Sequence, residues 1–287
     1  MIIAFRIAAA GLACSLFLLS ARAEDVSPTL DKIKESGVVS FGYRDGFIPL
    51  SFSGGDGKPI GFGIDLCSVA AAKIRGAAER DDLKVEYKPV DVSGIAAALE
   101  EGRIDVACTA IPNAPEVLQK VSPTIAVYAS DLRWIAPRRL RVEVESDWRR
   151  YVQIKTPTSG EDLRGQTVAV IRKPGAMAIA LTLSNERTLG LSILEAKDHA
   201  EGLKLVEQGK AAAFLGDSLQ LLALKAGSRN PDAFTFLDEA YPGEDYVFAV
   251  RKGDQAFKNI VDEALAEAMR SGEYARLYRQ WFESPIP

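Results

Sequence analysis

The chain has 287 residues and a formal net charge of -4, from 35 Lys and Arg against 39 Asp and Glu. This balance disfavours a nucleic-acid partner, because proteins that bind phosphates carry surplus Lys and Arg. One histidine and no C-x-x-C pattern disfavour a zinc site, and we expect neither a metal nor another cofactor.

The N-terminus has the pattern of a secretory signal peptide. Arg6 precedes an apolar run at residues 7–19, and Ala21-Arg22-Ala23 forms a small-x-small cleavage site. Removing residues 1–23 leaves 264 residues (287 minus 23) with a formal charge of -6, since Arg6 and Arg22 are lost. No later segment approaches the roughly 20 apolar residues that a membrane span needs. We therefore expect a periplasmic protein with room for two compact lobes.

The first half of the mature chain alternates strand and helix patterns. In chain order they are a strand at 38–43, a helix at 61–77, a strand at 83–90, a short helix at 93–99 and a strand at 103–110. This alternation is typical of an α/β lobe with a largely parallel sheet. Two cysteines, Cys67 and Cys108, remain after processing. An even count in an oxidising compartment favours a disulfide, although both could be buried free thiols.

The second half repeats this construction, with a strand predicted at 166–173. The stretch ALEEGRIDVACTA at 98–110 is echoed by LVEQGKAAAFLGD at 205–217, which two lobes of similar construction would explain. Apolar residues at helical spacing between 257 and 269, and again after Gly272, predict helices at the C-terminus.

The only histidine lies in the stretch AKDHAEG. Asp198 followed three residues later by Glu201 is a capping pattern, which makes His199 the first residue of a helix. A strand-like segment precedes it, so His199 is predicted at the rim where open α/β sheets bind ligands. The helix dipole there favours a neutral ring that could donate a hydrogen bond to a solute. An ordinary surface role is the alternative.

Three further positions are candidate ligand contacts. Asp217 ends the equivalent strand of the echo and could pair with a cationic amine, or it could instead cap the next helix. Thr109 ends the corresponding strand of the first lobe. Arg44 follows the first strand, where a mere surface charge is the alternative.

Several phrases of the sequence resemble the amino-acid-binding extracytoplasmic solute receptors of ABC transporters, nearest the glutamate/aspartate-binding subgroup. The resemblance runs in order from about Thr29 to Phe282. It is carried by the phrases TLDKIKESGVVSFGYRDG, KPIGFGIDLC, LKVEYKPV, EEGRIDVACT, EDLRGQTVAV, AKDHAEGLKLVEQGKAAAFLGDS and YVFAVRKGDQAFKNIVDEALAEAMRSGEYARLYRQWF.

The resemblance implies a type II periplasmic-binding-protein fold, with two α/β lobes joined by two crossover strands. The lobes would comprise residues 24–130 with 244–287, and residues 131–243, with hinges near 128–132 and 240–246. Such a protein is expected to act as a monomer, to close on a small solute by hinge motion and to deliver it to an ABC permease in the inner membrane.

The resemblance also implies roles for particular residues. Arg44, His199 and Asp217 match ligand-binding positions of the family, and Asp217 matches the aspartate that holds the α-amino group. Thr109 and Gly175 fall on binding segments as well, although Ala176 stands where the family has threonine after the glycine.

Two arginines of the family are missing. Glu116-Val117 stands where relatives have an ER pair whose arginine clamps the α-carboxylate, and Ile95 replaces a side-chain-binding arginine. Losing the partner of a buried charge typically costs about 2–5 kcal/mol, which disfavours free glutamate or aspartate bound in the family's usual way. Arg172 and Lys173 could supply substitute positive charge, or they could be surface residues.

Three functions stay open from the sequence. The first is the solute receptor of an ABC importer, which we favour. The second is an enzyme of the same fold, like cyclohexadienyl or arogenate dehydratases, with His199 or Glu116 as the acid/base group. The third is an accessory module without solute affinity. The arginine-rich run at 133–155, absent from closer relatives, is interpreted as a surface excursion or as a docking element for a partner.

Overall fold

The computed structural model describes residues 27–113, 115–146, 148–186 and 188–283. The predicted signal peptide, residues 1–23, lies outside these ranges. The first elements, in chain order, are α1 (Pro28–Ser36), β1 (Val38–Tyr43), β2 (Phe52–Ser53), β3 (Pro59–Ile60), α2 (Phe62–Ala77), β4 (Lys84–Pro89), α3 (Ile95–Glu100), β5 (Val106–Pro112) and α4 (Pro115–Leu118).

The chain then crosses into its second half and returns. The remaining elements are β6 (Ser122–Pro137), β7 (Leu140–Ser146), β8 (Arg149–Lys155), β9 (Thr167–Ile171), α5 (Pro174–Asn185), β10 (Ser192–Ala196), α6 (His199–Glu207), β11 (Phe214–Asp217), α7 (Ser218–Ala226), β12 (Phe234–Val250), α8 (Gln255–Ser271) and α9 (Glu273–Phe282). Within the described ranges, no helix is both long and apolar enough to cross a membrane.

Eight strands form one sheet in the order β10-β9-β11-β6-β12-β5-β1-β4. Strand β1 pairs in parallel with β4 and β5, and β9 pairs in parallel with β10 and β11. Between these two parallel groups run β6 and β12, 16 and 17 residues long, which pair antiparallel with each other. The two long strands therefore join two α/β units, as predicted for the crossover strands.

The buried side chains form separate cores on the two sides of these strands. One core draws on β1, α2, β5, α8 and α9, and the other on β9, α5, β10, α6 and β11. Leu219 and Ala223 of α7 are an exception, because they pack with the first core although α7 follows β11 of the second. The lobe boundaries predicted from the sequence, 24–130 with 244–287 and 131–243, stay a prediction.

Local sequence rules predicted several elements well. Strand β1 matches its predicted range, and α6 begins at His199 with Asp198 as N-cap, accepting from the Glu201 amide at 2.8 Å. Gly272 separates α8 from α9 at a φ of 84°, a left-handed conformation that glycine adopts without steric cost.

The strand predicted at 103–110 is shifted in the structure. Strand β5 begins at Val106 and continues to Pro112, because its end pairs with β12, where Tyr246 lies opposite Pro112. The prediction that Thr109 ends this strand was therefore wrong. Its end lies three residues further along.

Cys67 of α2 and Cys108 of β5 are joined by a disulfide, and both are fully buried. The bridge connects a helix to the sheet that it covers, across a sequence separation of 41 residues. Such a link stabilises the fold mainly by reducing the conformational freedom of the unfolded chain.

Replacing both cysteines by alanine should lower the free energy of unfolding by about 2–4 kcal/mol, because the unfolded chain regains the freedom of the closed loop. Urea unfolding followed by circular dichroism would measure the difference between wild type and variant. The same titration in a reducing buffer is the control, since reduction of the unfolded wild type should bring the two curves closer together. Equal midpoints under oxidising conditions would contradict the prediction.

Candidate functional site

A cavity of about 640 Å³ lies where the carboxyl ends of β9 and β11 meet the two long strands. Its size is within the range of small-molecule sites in proteins. The first lobe contributes Asn113 and Pro115 to its wall, and the long strands contribute Leu132 and the segment 242–244. The second lobe contributes the rest of the wall, namely Ile171, Arg172, Lys173, Pro174, Gly175, Ala176, His199 and Asp217.

Asp217 both caps a helix and lines this cavity. It is 5% exposed, and its Oδ1 accepts from the Gln220 amide at 3.1 Å and from the Tyr246 hydroxyl at 2.9 Å. Burial raises the pKa of this carboxyl, while bonds from Gln220, Ser130 and Tyr246 and the charge of Lys173 act in the opposite direction. The sequence left helix capping and ligand contact as alternative roles for Asp217. In the structure Asp217 caps α7 and also lies on the cavity wall.

His199 is held against Asp217 through the backbone. The Asp217 amide donates to Nε2 of His199 at 3.1 Å, and the imidazole lies edge-on to Phe214 with ring centroids 6.0 Å apart. Burial, followed by the charge of Lys173, lowers the pKa of His199 to about 4. The ring is therefore neutral at pH 7, and since Nε2 accepts, Nδ1 carries the proton. The sequence also predicted a neutral ring, but from the helix dipole, whereas burial is the main cause in the structure. Donation from His199 to a solute stays a prediction.

Arg44 lies on a neighbouring cavity of about 340 Å³. Its guanidinium stacks over the ring of Phe47, 4.6 Å from the centroid. His199 lines both cavities, whereas Asp217 lines only the larger one among the cavities described. The structure thus brings His199 and Asp217 together and places Arg44 beyond His199. A ligand-binding role for Arg44 stays a prediction.

Thr109 lies inside β5 and does not line either cavity. It is fully buried, and its Oγ1 has no hydrogen-bond partner among the described residues. Because β5 runs on to Pro112, the first residue of this segment on the cavity wall is Asn113. Gly175 does line the cavity, near the start of α5.

The positions of the two missing arginines differ in what the structure describes. Ile95 is 2% exposed and packs in a small core with Ala98 and Leu99, so it does not reach the cavity. Val117 belongs to α4, and its side chain lies outside the described part of the structure, as does that of Glu116.

Sequence reasoning missed one charged residue of the cavity. Glu244 lies on β12, and its Oε2 accepts from Nζ of Lys173 at 2.7 Å. Arg172 also lines the cavity, but it pairs with Glu195 at 3.1 Å. The dipeptide Pro242-Gly243 inside a strand pattern was the available signal, because Pro and Gly within a strand often mark a bulge.

The run at 133–155 is only partly a surface excursion. Its first residues belong to β6, where Trp134 is fully buried in the second core. The remainder forms the hairpin of β7 and β8, in which Trp148 is 76% exposed and lies under the guanidinium of Arg149. The docking interpretation of this hairpin stays a prediction.

Comparison with known proteins identifies the family. Residues 39–284 match the model of the bacterial extracellular solute-binding proteins, family 3. The chain belongs to this family. It is 29% identical over 266 residues to the L-glutamate/L-aspartate-binding protein of Pseudomonas aeruginosa, covering 92% of this chain and 83% of that relative. It is 23% identical over 257 residues to the L-cystine-binding protein TcyJ of Escherichia coli, covering 90% and 87%.

Solved structures agree with this assignment. An ancestral arginine-binding protein bound to arginine has a TM-score of 0.55 at 26% identity, covering 86% of this chain and 98% of the other. The ancestral amino acid-binding protein AncCDT-1, a precursor of cyclohexadienyl dehydratase, has a TM-score of 0.58 at 26% identity, covering 90% and 100%. The fold is the type II periplasmic-binding-protein fold. As a member of family 3 the chain is a solute-binding protein, and the relatives named above are binding proteins rather than enzymes.

The depressed pKa of His199 should make stability depend on pH. The folded pKa is about 4 against 6.5 for the free side chain, so the unfolded chain binds the proton more tightly. The stabilisation is fully present above pH 6.5 and is lost, by up to about 3 kcal/mol, as the pH falls towards 4. Urea unfolding of wild type and His199→Asn between pH 4 and pH 7.5 would isolate this contribution from that of the carboxylates.

Because His199 is the only histidine in the chain, its NMR titration needs no assignment of competing signals. A folded-state pKa near 6.5, or identical pH profiles for wild type and His199→Asn, would contradict the burial of a neutral ring.

Proposed function

We propose that this chain is the periplasmic substrate-binding component of an ABC importer and that its solute is an amino acid held in the 640 Å³ cavity. The observation that carries the proposal is that Asp217 and His199, from the ends of neighbouring elements, face one cavity beside the two long strands. A carboxylate fixed by Gln220 and Tyr246 is suited to an α-amino group, because charge-assisted bonds are the stronger kind.

The relatives support the class of solute. Those named above bind glutamate and aspartate, cystine or arginine, which share an α-amino group and an α-carboxylate and differ in the side chain. The proposal therefore concerns the α-amino and α-carboxylate groups, which all these amino acids share. Asp217 binds the α-amino group, and Nδ1 of His199 donates to the solute.

Hinge motion fits the connection between the lobes. Strands β6 and β12 are the only strands among the described residues that extend into both units. Rotation about them would open the cavity, and closing it would remove water from the charged contacts and strengthen them. The closed form of a monomer would then be the state that an inner-membrane permease recognises. The same proposal includes export to the periplasm, directed by residues 1–23 as a signal peptide.

A thermal-shift screen of the purified protein against the common amino acids tests this function. An amino acid present at 100 times its dissociation constant should stabilise the protein by roughly 2.7 kcal/mol. Small amines without a carboxylate and small carboxylates without an amine serve as controls, because each carries only one of the two groups that the site is proposed to bind. If no amino acid raises the melting temperature, the proposed function is wrong and the accessory module is favoured.

Asp217→Asn should weaken the binding of any amino acid found in that screen by roughly 30-fold to several thousand-fold, because the buried ammonium loses its charged partner. Asparagine can still cap α7, so the fold should persist. Isothermal titration calorimetry gives the affinity directly.

Asp254→Asn is the matched control for this substitution. Asp254 is also a buried N-cap, accepting from the Phe257 amide at 3.1 Å, but it does not line the cavity. Unchanged affinity in Asp217→Asn, or an equal loss in Asp254→Asn, would remove the role given to Asp217.

A further inference from the structure

The cavity contains an ion pair that the roles above do not use. Lys173, the N-cap residue of α5, donates to Glu244 of β12 at 2.7 Å, and each side chain is 42% exposed. Both residues line the cavity that also contains Asp217 and His199. The pair therefore joins the second lobe to a long strand across the wall of the candidate site.

A β-bulge directs Glu244 towards the cavity. In the pairing of β12 with β6, Pro242 lies opposite Asp131 and Asp245 opposite Ala129, so two residues of β12 face one of β6. A Cβ atom at Gly243 would lie 2.7 Å from the Ser130 carbonyl oxygen, which only glycine avoids at this position. Bulges beside binding sites commonly redirect a side chain. Glu244 therefore lies in this register shift, and its side chain lines the cavity.

The charged residues on the cavity wall indicate which charges a bound solute should carry. The charged residues lining it in the described structure are Arg172, Lys173, Asp217 and Glu244. Arg172 pairs with Glu195, which does not line the cavity. Lys173 therefore pairs directly with one carboxylate of the wall and acts on the other only through its charge, while burial still raises the pKa of Asp217.

Both members of the ion pair keep capacity for a ligand. Lysine has three N–H donors, and Glu244 takes one of them through Oε2. The other donors of Lys173 can bind a carboxylate while the pair stays intact. Oε1 of Glu244 can accept from a cation in the same way.

We propose that Lys173 and Glu244 together select an amino acid with a cationic side chain. Lys173 binds the α-carboxylate in place of the missing arginine, and Glu244 binds the side-chain cation. This inference rests on the proposed function, in which Asp217 binds the α-amino group. The ligand's two positive groups and one negative group then meet the opposite charges on the wall, whereas an acidic side chain would meet Glu244 and be repelled.

Pairs of ligands with nearly the same shape and different charge test the selection. Isothermal titration calorimetry on the purified protein would compare L-arginine with L-citrulline and L-glutamate with L-glutamine. We expect arginine to bind about tenfold or more tightly than citrulline, and glutamate to bind about tenfold or more weakly than glutamine.

Three variants separate the roles. In Glu244→Gln the preference for arginine over citrulline should disappear while citrulline keeps its affinity. In Lys173→Gln every amino acid that binds should weaken by about tenfold or more, because all share the α-carboxylate. Glu161→Gln is the control, since it removes an equivalent charge from its pair with Arg164, neither of which lines the cavity, and should change no affinity.

The possible failures are distinguishable. Tighter binding of glutamate than of glutamine, or an unchanged ratio of arginine to citrulline affinity in Glu244→Gln, would overturn the selection by Glu244. The proposed function would stand in that case if Asp217→Asn still weakened binding as predicted above. Full affinity in Lys173→Gln would overturn the carboxylate role of Lys173. Absence of binding for every amino acid would overturn both this inference and the proposed function. Near-UV circular dichroism of each variant would establish that it is folded.

Discussion

The antiparallel pairing of β6 with β12 is the interaction on which the rest of the structure depends. Each parallel group of strands attaches to one of these two strands, through β11 to β6 and through β5 to β12. The two parallel groups of strands are therefore connected through this hydrogen-bonded ribbon. The ribbon can bend where its ladder is interrupted, and the interruption at Gly243 and Glu244 lies on the cavity wall.

Helix α7 adds a second link between the lobes. Its N-cap Asp217 accepts from Tyr246 on the part of β12 that belongs to the first core, and Leu219 is buried in that core. Moving α7 away with the second lobe would separate Tyr246 from Asp217 and expose Leu219, whose full burial contributes about 1.5–3 kcal/mol. These contacts favour the arrangement of the lobes seen here before a solute adds its own. The same carboxylate thus serves the helix, the contact between lobes and the cavity.

The sequence predicted the features that depend on residues close together in the chain. The N-cap at Asp198, the first helical position of His199 and the interruption at Gly272 follow from spacings of a few residues. It failed where long-range pairing decides. The end of β5, and with it the burial of Thr109, is set by β12 more than 130 residues later, and the placement of Glu244 depends on a register shift against β6. The packing of α7 with the first core is also non-local.

Glu244 adds a second carboxylate to a cavity wall that already contains Asp217. Lys173 pairs directly with Glu244, while the other cation of the wall, Arg172, pairs with Glu195, which does not line the cavity. Lys173 offsets part of the negative charge, and its charge adds to burial, the larger cause, in lowering the pKa of His199. A neutral His199 can donate through Nδ1 without adding a further positive charge near a ligand's ammonium. The proposed selection of a cationic amino acid uses this arrangement, because such a solute brings two positive groups to Asp217 and Glu244 and one negative group to Lys173.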